Sequence, residues 1–184
     1  MKKYELTAEC KEFSGRKLYR IKAIVTFGNV QEGDLGGWIE KEENLSQEGN
    51  AWVYDNAWVF GNAEVFDNAW VFGNAWVYGN AKVFGNAWVF GNAEVCGNAE
   101  VSKRTHLLEI GFIGPRDDAT TFFRTKDKKI FVKCGCFRGN IDEFEKQVQE
   151  VHGDDKHGRV YVLAIAMARE QIELDDEDME EEDD

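Results

Sequence analysis

From Gly49 to Ser102 the chain repeats (Gly/Asp)-Asn-Ala-x-Val-x nine times without a break. A strict six-residue period leaves few folds open, because neither a helix of 3.6 residues per turn nor an ordinary hairpin sheet repeats every six. Ala and Val stand two apart, so on a short strand they point the same way. They are the invariant apolar positions and therefore face inward. The slot between them takes Trp, Glu or Lys, and a slot that accepts Glu64 and Lys82 faces outward. Gly-Asn or Asp-Asn supplies the corner, with Asn tolerant of left-handed backbone. Three units close one triangular coil of 18 residues, and nine units give three stacked coils about 4.8 Å apart.

Reading the outward slots at a period of 18 separates three faces. One carries Trp52, Trp70 and Trp88, with Tyr54, Phe72 and Phe90 in the second outward slot. The next carries Trp58, Trp76 and Glu94, with Phe60, Tyr78 and Cys96. The third carries Glu64, Lys82 and Glu100, with Phe66, Phe84 and Ser102. Six stacked aromatics on one flat face form a patch that water does not favour, and covering them is worth roughly 10 kcal/mol gross. Flanking segments or sister subunits are the expected cover, with a stacking platform for bases, sugars or a partner protein as the functional alternative.

The repeat closely resembles the hexapeptide-repeat left-handed β-helix family. In that family an aliphatic residue is followed four places later by a small one, as Val53 is by Ala57 and Val59 by Ala63. The family holds acyltransferases, γ-class carbonic anhydrases and non-enzymatic members, so the fold alone does not choose an activity. With Leu35-Gly-Gly-Trp-Ile-Glu40 before the repeat and Cys134-Gly-Cys-Phe-Arg-Gly139 after it, the chain also resembles phage and prophage proteins built on Gly-Asn-Ala repeats. That resemblance implies a non-enzymatic binding protein acting in the host cytoplasm against a defence system. Its partner would be a defence protein such as a CRISPR effector, or a nucleotide signal. A structural virion or assembly protein is a further reading.

The expected architecture is mainly β. Residues 1–27 form an N-terminal β-hairpin, Tyr4–Phe13 and Leu18–Phe27 around a Ser14-Gly15-Arg16-Lys17 turn. Residues 28–102 form the left-handed parallel β-helix, about three regular coils preceded by a degenerate capping coil. In the repeat frame Ile39 and Leu45 take the Ala slot of that coil and Leu35 the Val slot. Residues 103–174 form a small α+β domain of order βββαα, with strands His106–Ile113, Thr120–Thr125 and Lys129–Cys134. A helix capped by Asn140 and Glu143 and stopped by Gly153 follows, then a second helix from Lys156 to Leu174. Residues 175–184 are expected to be a disordered acidic tail.

The formal net charge of -13 is largely that tail, whose ten residues hold nine acids. The remaining body carries about four net negative charges, which argues against direct nucleic-acid binding. The lysines that open the chain are not followed by an apolar run, and the longest such run, Val160 to Ala168, is too short to cross a membrane. These features read as a cytoplasmic protein with four reduced cysteines.

An acyltransferase of this fold needs a histidine base beside the coils, and a γ-class carbonic anhydrase needs three metal-binding histidines there. His106, His152 and His157 all lie outside the repeats. No catalytic residue, metal or cofactor is therefore expected, and an acyltransferase relative is the alternative. Cys134 and Cys136 read as core thiols on one side of a strand end. Thr120, Thr121, Arg124, Arg138 and Gly139 gather near the same strand ends as the candidate anion site. The aromatic face of Trp52, Tyr54, Trp70, Phe72, Trp88 and Phe90 is the candidate oligomer or partner surface, with a homotrimer as the expected assembly.

Overall fold

The computed structural model describes residues 2–175 and is mainly β, with a parallel β-solenoid of about four turns. Strands β1 (Tyr4–Phe13), β2 (Arg16–Ala23) and β3 (Leu35–Ile39) lead into nine two-residue rungs. These are β4 (Trp52–Val53), β5 (Trp58–Val59), β6 (Glu64–Val65), β7 (Trp70–Val71), β8 (Trp76–Val77), β9 (Lys82–Val83), β10 (Trp88–Val89), β11 (Glu94–Val95) and β12 (Glu100–Val101). Rungs 18 residues apart pair in parallel and in register, Trp70 with Trp52 and Trp88, Trp76 with Trp58 and Glu94. The three predicted faces are thus the three sheets. Every repeat Ala and Val is at most 2% exposed, so the inner column is continuous from Ala51 to Val101.

The corners differ from the expectation in one respect. The left-handed residue is the Gly or Asp before each Asn, as in Asp55 (φ 51°) and Gly61 (φ 72°), and not the Asn itself. An Asp survives there because its carboxylate accepts a backbone N–H one coil on, Asp55 from Gly73 and Asp67 from Gly85, each at 3.1 Å. The Asn side chains build ladders instead: Asn50 Nδ2 donates to Asn68 Oδ1 at 3.0 Å, and Asn68 donates to Asn86.

The first coil is out of the predicted frame. Ile39 pairs with Val59 and Leu45 bridges to Val65, an offset of 20 residues, so both occupy the Val position and not the Ala position. Leu35 is 53% exposed and fills no inner slot. Two extra residues enter between Leu45 and Val53. Gly37 stands where the repeat has Ala, and a Cβ there would lie 2.6 Å from both the Ala57 carbonyl oxygen and Val53 Cγ1. The hairpin is also shorter than expected. Its turn is Ser14-Gly15, both residues at positive φ, and β2 ends at Ala23. β2 pairs with β3, so the hairpin extends the sheet of β5, β8 and β11.

Beyond the last coil lies a four-stranded antiparallel sheet, not the three strands expected: β13 (Leu107–Ile113), β14 (Asp118–Arg124), β15 (Ile130–Cys134) and β16 (Phe137–Asn140). The short fourth strand lacks alternation and carries Gly139, which hid it. Helix α1 (Ile141–His152) begins with the expected Asn140–Glu143 capping box and ends at Gly153. Helix α2 (Lys156–Gln171) stops three residues before the expected end. The sheet is a middle layer. Phe122 packs towards the helices with Phe144, Tyr161 and Ile165, while its neighbour Phe123 joins the solenoid core beside Leu107. Among the described residues no helix is long and apolar enough to cross a membrane. Apart from Asp175, the acidic tail lies outside the described residues.

At the other end, Lys3 enters the gap made by the inserted corner. Its Nζ donates to the carbonyls of Glu48, Gly49 and Ala51 at 3.1, 3.2 and 2.9 Å and lies 4.9 Å from the centre of the Phe27 ring. Burial lowers its pKa to about 8, against 10.5 for the free side chain. Lys3→Met should destabilise the fold by about 1–3 kcal/mol at neutral pH, since three carbonyls lose their donor. Between about pH 8 and 10.5 the unfolded state binds the Lys3 proton more tightly than the folded state. Wild type should therefore gain stability relative to the variant as pH rises through that window, read by denaturant melts; a flat or falling difference would contradict it.

Candidate functional site

The aromatic face divides into a covered part and an open part. Trp52 is 1% exposed, under the edges of Tyr4 and Phe27 at ring-centre distances of 6.0 and 5.4 Å. The neighbouring face is covered only in part, and Trp58 and Trp76 stay half-buried. Phe13 of the hairpin meets Trp58 and Trp76 edge-on at 5.2 and 5.0 Å. Trp70 and Trp88 are only half-buried, and Phe90 is exposed. The N-terminal segment thus buries Trp52 and packs in part on Trp58 and Trp76, and no such ring from it meets Trp70, Trp88 or Phe90 among the described residues.

The open rings stack on one another. Trp70 and Trp88 lie 5.5 Å apart and 3° from parallel, and the Arg104 guanidinium sits 3.4 Å from the centre of the Trp88 ring. Both faces of Trp88 are therefore occupied, and the surface offers ring edges. This removes the simplest form of the base- or sugar-stacking platform, which needs free ring faces. Two openings flank the stack. One, about 1060 Å³, runs past Asn50, Asn68 and Asn86 to Lys103, Arg104 and Glu173. The other, about 490 Å³, is bounded by Tyr54, Trp70, Phe72 and Trp88. Lys103 pairs with Glu173 at 3.2 Å, and that bond holds the Glu173 carboxyl below its usual range. Arg104 is exposed and has no carboxylate partner among the described residues.

The polarity of the solenoid adds to this end. The outward-slot N–H groups of each coil donate to carbonyls of the next, as Trp70 N does to Ala87 O, so those of the last coil have no further coil to receive them. The C-terminal unit supplies side-chain acceptors: Glu109 Oε1 for Asn92 N, Thr121 Oγ1 for Glu94 N and His106 Nδ1 for Ser102 N, at 3.1, 3.1 and 3.2 Å. Trp88 N and Phe90 N receive no such acceptor from the described residues.

The predicted anion site does not assemble. Thr121 caps the solenoid, whereas Thr120 is fully buried with its hydroxyl 3.3 Å from Cys134 Sγ. Arg124 is 3% exposed and its Nε donates to the Leu174 carbonyl on the helical side of the sheet. Arg138 lies on the solenoid side, 5.6 Å from the centre of the Tyr78 ring. Gly139 is buried, and a Cβ there would fall 2.7 Å from Glu143 Oε2, so the capping box requires the glycine. The two arginines stand on opposite faces of one sheet because β14 and β16 present them with opposite alternation. Cys134 and Cys136 also part: Gly135 (φ 54°) turns the chain between them, leaving Cys134 half-buried and Cys136 exposed. Among the described residues no cluster of three potential metal ligands occurs.

Around Tyr78 the sequence reading missed a polar contact between coil and sheet. Tyr78 OH donates to Glu94 Oε2 at 3.0 Å, and Lys133 Nζ pairs with Glu94 at 3.2 Å. Burial, with Cys96 and Glu94 alongside, pushes the Tyr78 hydroxyl pKa well up. His152 and His157 sit 5.8 Å apart near Tyr161 in the helical layer, away from the coils.

No protein-family model matches the chain. Over 63 residues it is 46% identical to a protein of Escherichia coli (strain K12) named "Uncharacterized acetyltransferase YdcK"; the match takes in 30% of this chain and 19% of that one. The chain thus spans about a fifth of the length of the curated relative it matches. Repeat, solenoid and partial likeness agree on a hexapeptide-repeat protein.

Unequal cover gives a stability test. Trp52→Ala should cost about 3–5 kcal/mol and Trp70→Ala about half of that, since only the first ring is enclosed. Equal losses in thermal melts would show that Trp70 is covered in solution.

Proposed function

We propose that the chain is a non-catalytic binding protein whose recognition surface is the open part of the aromatic face, Trp70, Trp88 and Phe90, with Arg104 at its end. One observation carries the reading: Trp52 is enclosed, whereas Trp70 and Trp88 stand half-buried beside a cleft that ends in the Arg104 guanidinium, which has no carboxylate partner among the described residues. The three histidines support it, since His106, the one beside the last coil, is wholly buried and spent on Ser102. The phage and prophage resemblance supports a phage-type role in which the partner belongs to a host defence system and is met in the host cytoplasm. The same exposed edges suit self-association, and a homotrimer is the assembly this reading carries forward.

Acyl transfer is the second reading, favoured by the name of the partial relative. The full chain incubated with acetyl-CoA and a panel of amine and hydroxyl acceptors separates the two. No saturable release of free CoA is expected, and saturable turnover would overturn the binding reading. On that reading Trp88→Ala should abolish capture of the partner from host lysate while the melting transition stays cooperative.

A further inference from the structure

We infer that the end of the aromatic stack is a binding site for a nucleoside phosphate, held at Arg104, Asn86 and the outward N–H groups of Trp88 and Phe90. This deepens the binding reading above and rests on it. The site is rich in donors. The amide ladder runs one way, Asn50 to Asn68 to Asn86, so each Nδ2 group is used by the next Asn until Asn86, whose Nδ2 has no acceptor among the described residues. The outward-slot N–H groups point the same way, and Trp88 N and Phe90 N have no acceptor at this end among the described residues. Arg104 adds a full positive charge at the end of the Trp70–Trp88 stack. Phosphate oxygens are the acceptors that suit such a set, because charge-assisted bonds from guanidinium and oriented N–H groups are the strong ones.

The rest of the ligand follows from what adjoins the donors. The cleft of about 1060 Å³ is far larger than a phosphate needs and passes along the Trp70 and Trp88 edges. At Trp88 a sugar body finds no free aromatic face, since both are taken by Trp70 and Arg104. The outer plane of the exposed Arg104 guanidinium continues the stack, and a guanidinium plane is a surface on which a nucleobase lies well. A planar base on Arg104, with its phosphates on the donor edge, brings the guanidinium, the Asn86 amide and the two N–H groups into use together.

Calorimetric titration of the full chain with ADP, adenosine and inorganic phosphate tests this. ADP should bind, with adenosine and phosphate each weaker by on the order of tenfold. Arg104→Ala should weaken ADP by on the order of tenfold or more, and Arg104→Lys should restore only part, since it returns the charge but not the plane. Raising salt should weaken ADP binding in wild type more than in Arg104→Ala. No ADP binding at millimolar concentration, ADP binding unchanged in Arg104→Ala, or phosphate binding as tightly as ADP would each overturn the inference. Those results leave the binding-protein reading intact if Trp88→Ala still abolishes partner capture. Saturable acyl-CoA turnover removes that reading whatever ADP does.

Discussion

The direction of the backbone ladder governs this molecule. The outward-slot and Asn N–H groups of each coil donate towards the C-terminal end, while each Val N–H returns to the coil before, so one end of the stack presents mainly carbonyls and the other mainly N–H groups. Buried backbone groups left unpaired are costly, and the flanks answer each end with the opposite chemistry. Donors close the carbonyl end: Lys3 Nζ on Glu48, Gly49 and Ala51, and Tyr4 OH on Leu45 at 2.7 Å. Acceptors close the N–H end: Glu109, Thr121 and His106. His106 and Thr121 look like chemistry in the sequence and prove to be caps.

The side faces pose a different constraint. Rungs in exact register place identical rings above one another, and stacking uses up their faces, as in Trp58–Trp76 at 4.9 Å and 2°. What remains to solvent along these stacks is a comb of edges, which Tyr4 and Phe13 of the hairpin and Phe27 of the loop after it meet edge-on at the first coils. The hairpin belongs to the sheet of β5, β8 and β11, and its tip, Phe13, lies over Trp58 and Trp76 and not over Trp70 and Trp88. The open aromatic edge and the open sector of the N–H end therefore meet at one corner of the solenoid, beside Arg104.

The repeats were legible because two periods, two and six, agree at every unit, and local and global preferences coincide there. The inner Ala–Val column and all three faces follow from that agreement. Register was lost where the period broke: two extra residues between Leu45 and Val53 shift Ile39 and Leu45 from one slot to the other, and composition carries no mark of such an insertion. The capping box at Asn140 was readable because its partners are three residues apart. The separation of Arg124 from Arg138 was not, because it depends on the pairing of β14, β15 and β16, and β16 gave no periodic signal. Arg104 was passed over since its partner, Trp88, is sixteen residues away and is reached only once the last coil closes.

Residue-resolved amide hydrogen exchange tests the end-capping directly. Trp70 N and Phe72 N, bonded to Ala87 and Val89 carbonyls at 2.9 Å, should exchange slowly, as should the capped Asn92, Glu94 and Ser102. Trp88 and Phe90 should exchange much faster than their counterparts one coil earlier. Equal protection of Trp88 and Trp70 would show that the last coil is closed all the way round, and the open donor corner would not exist.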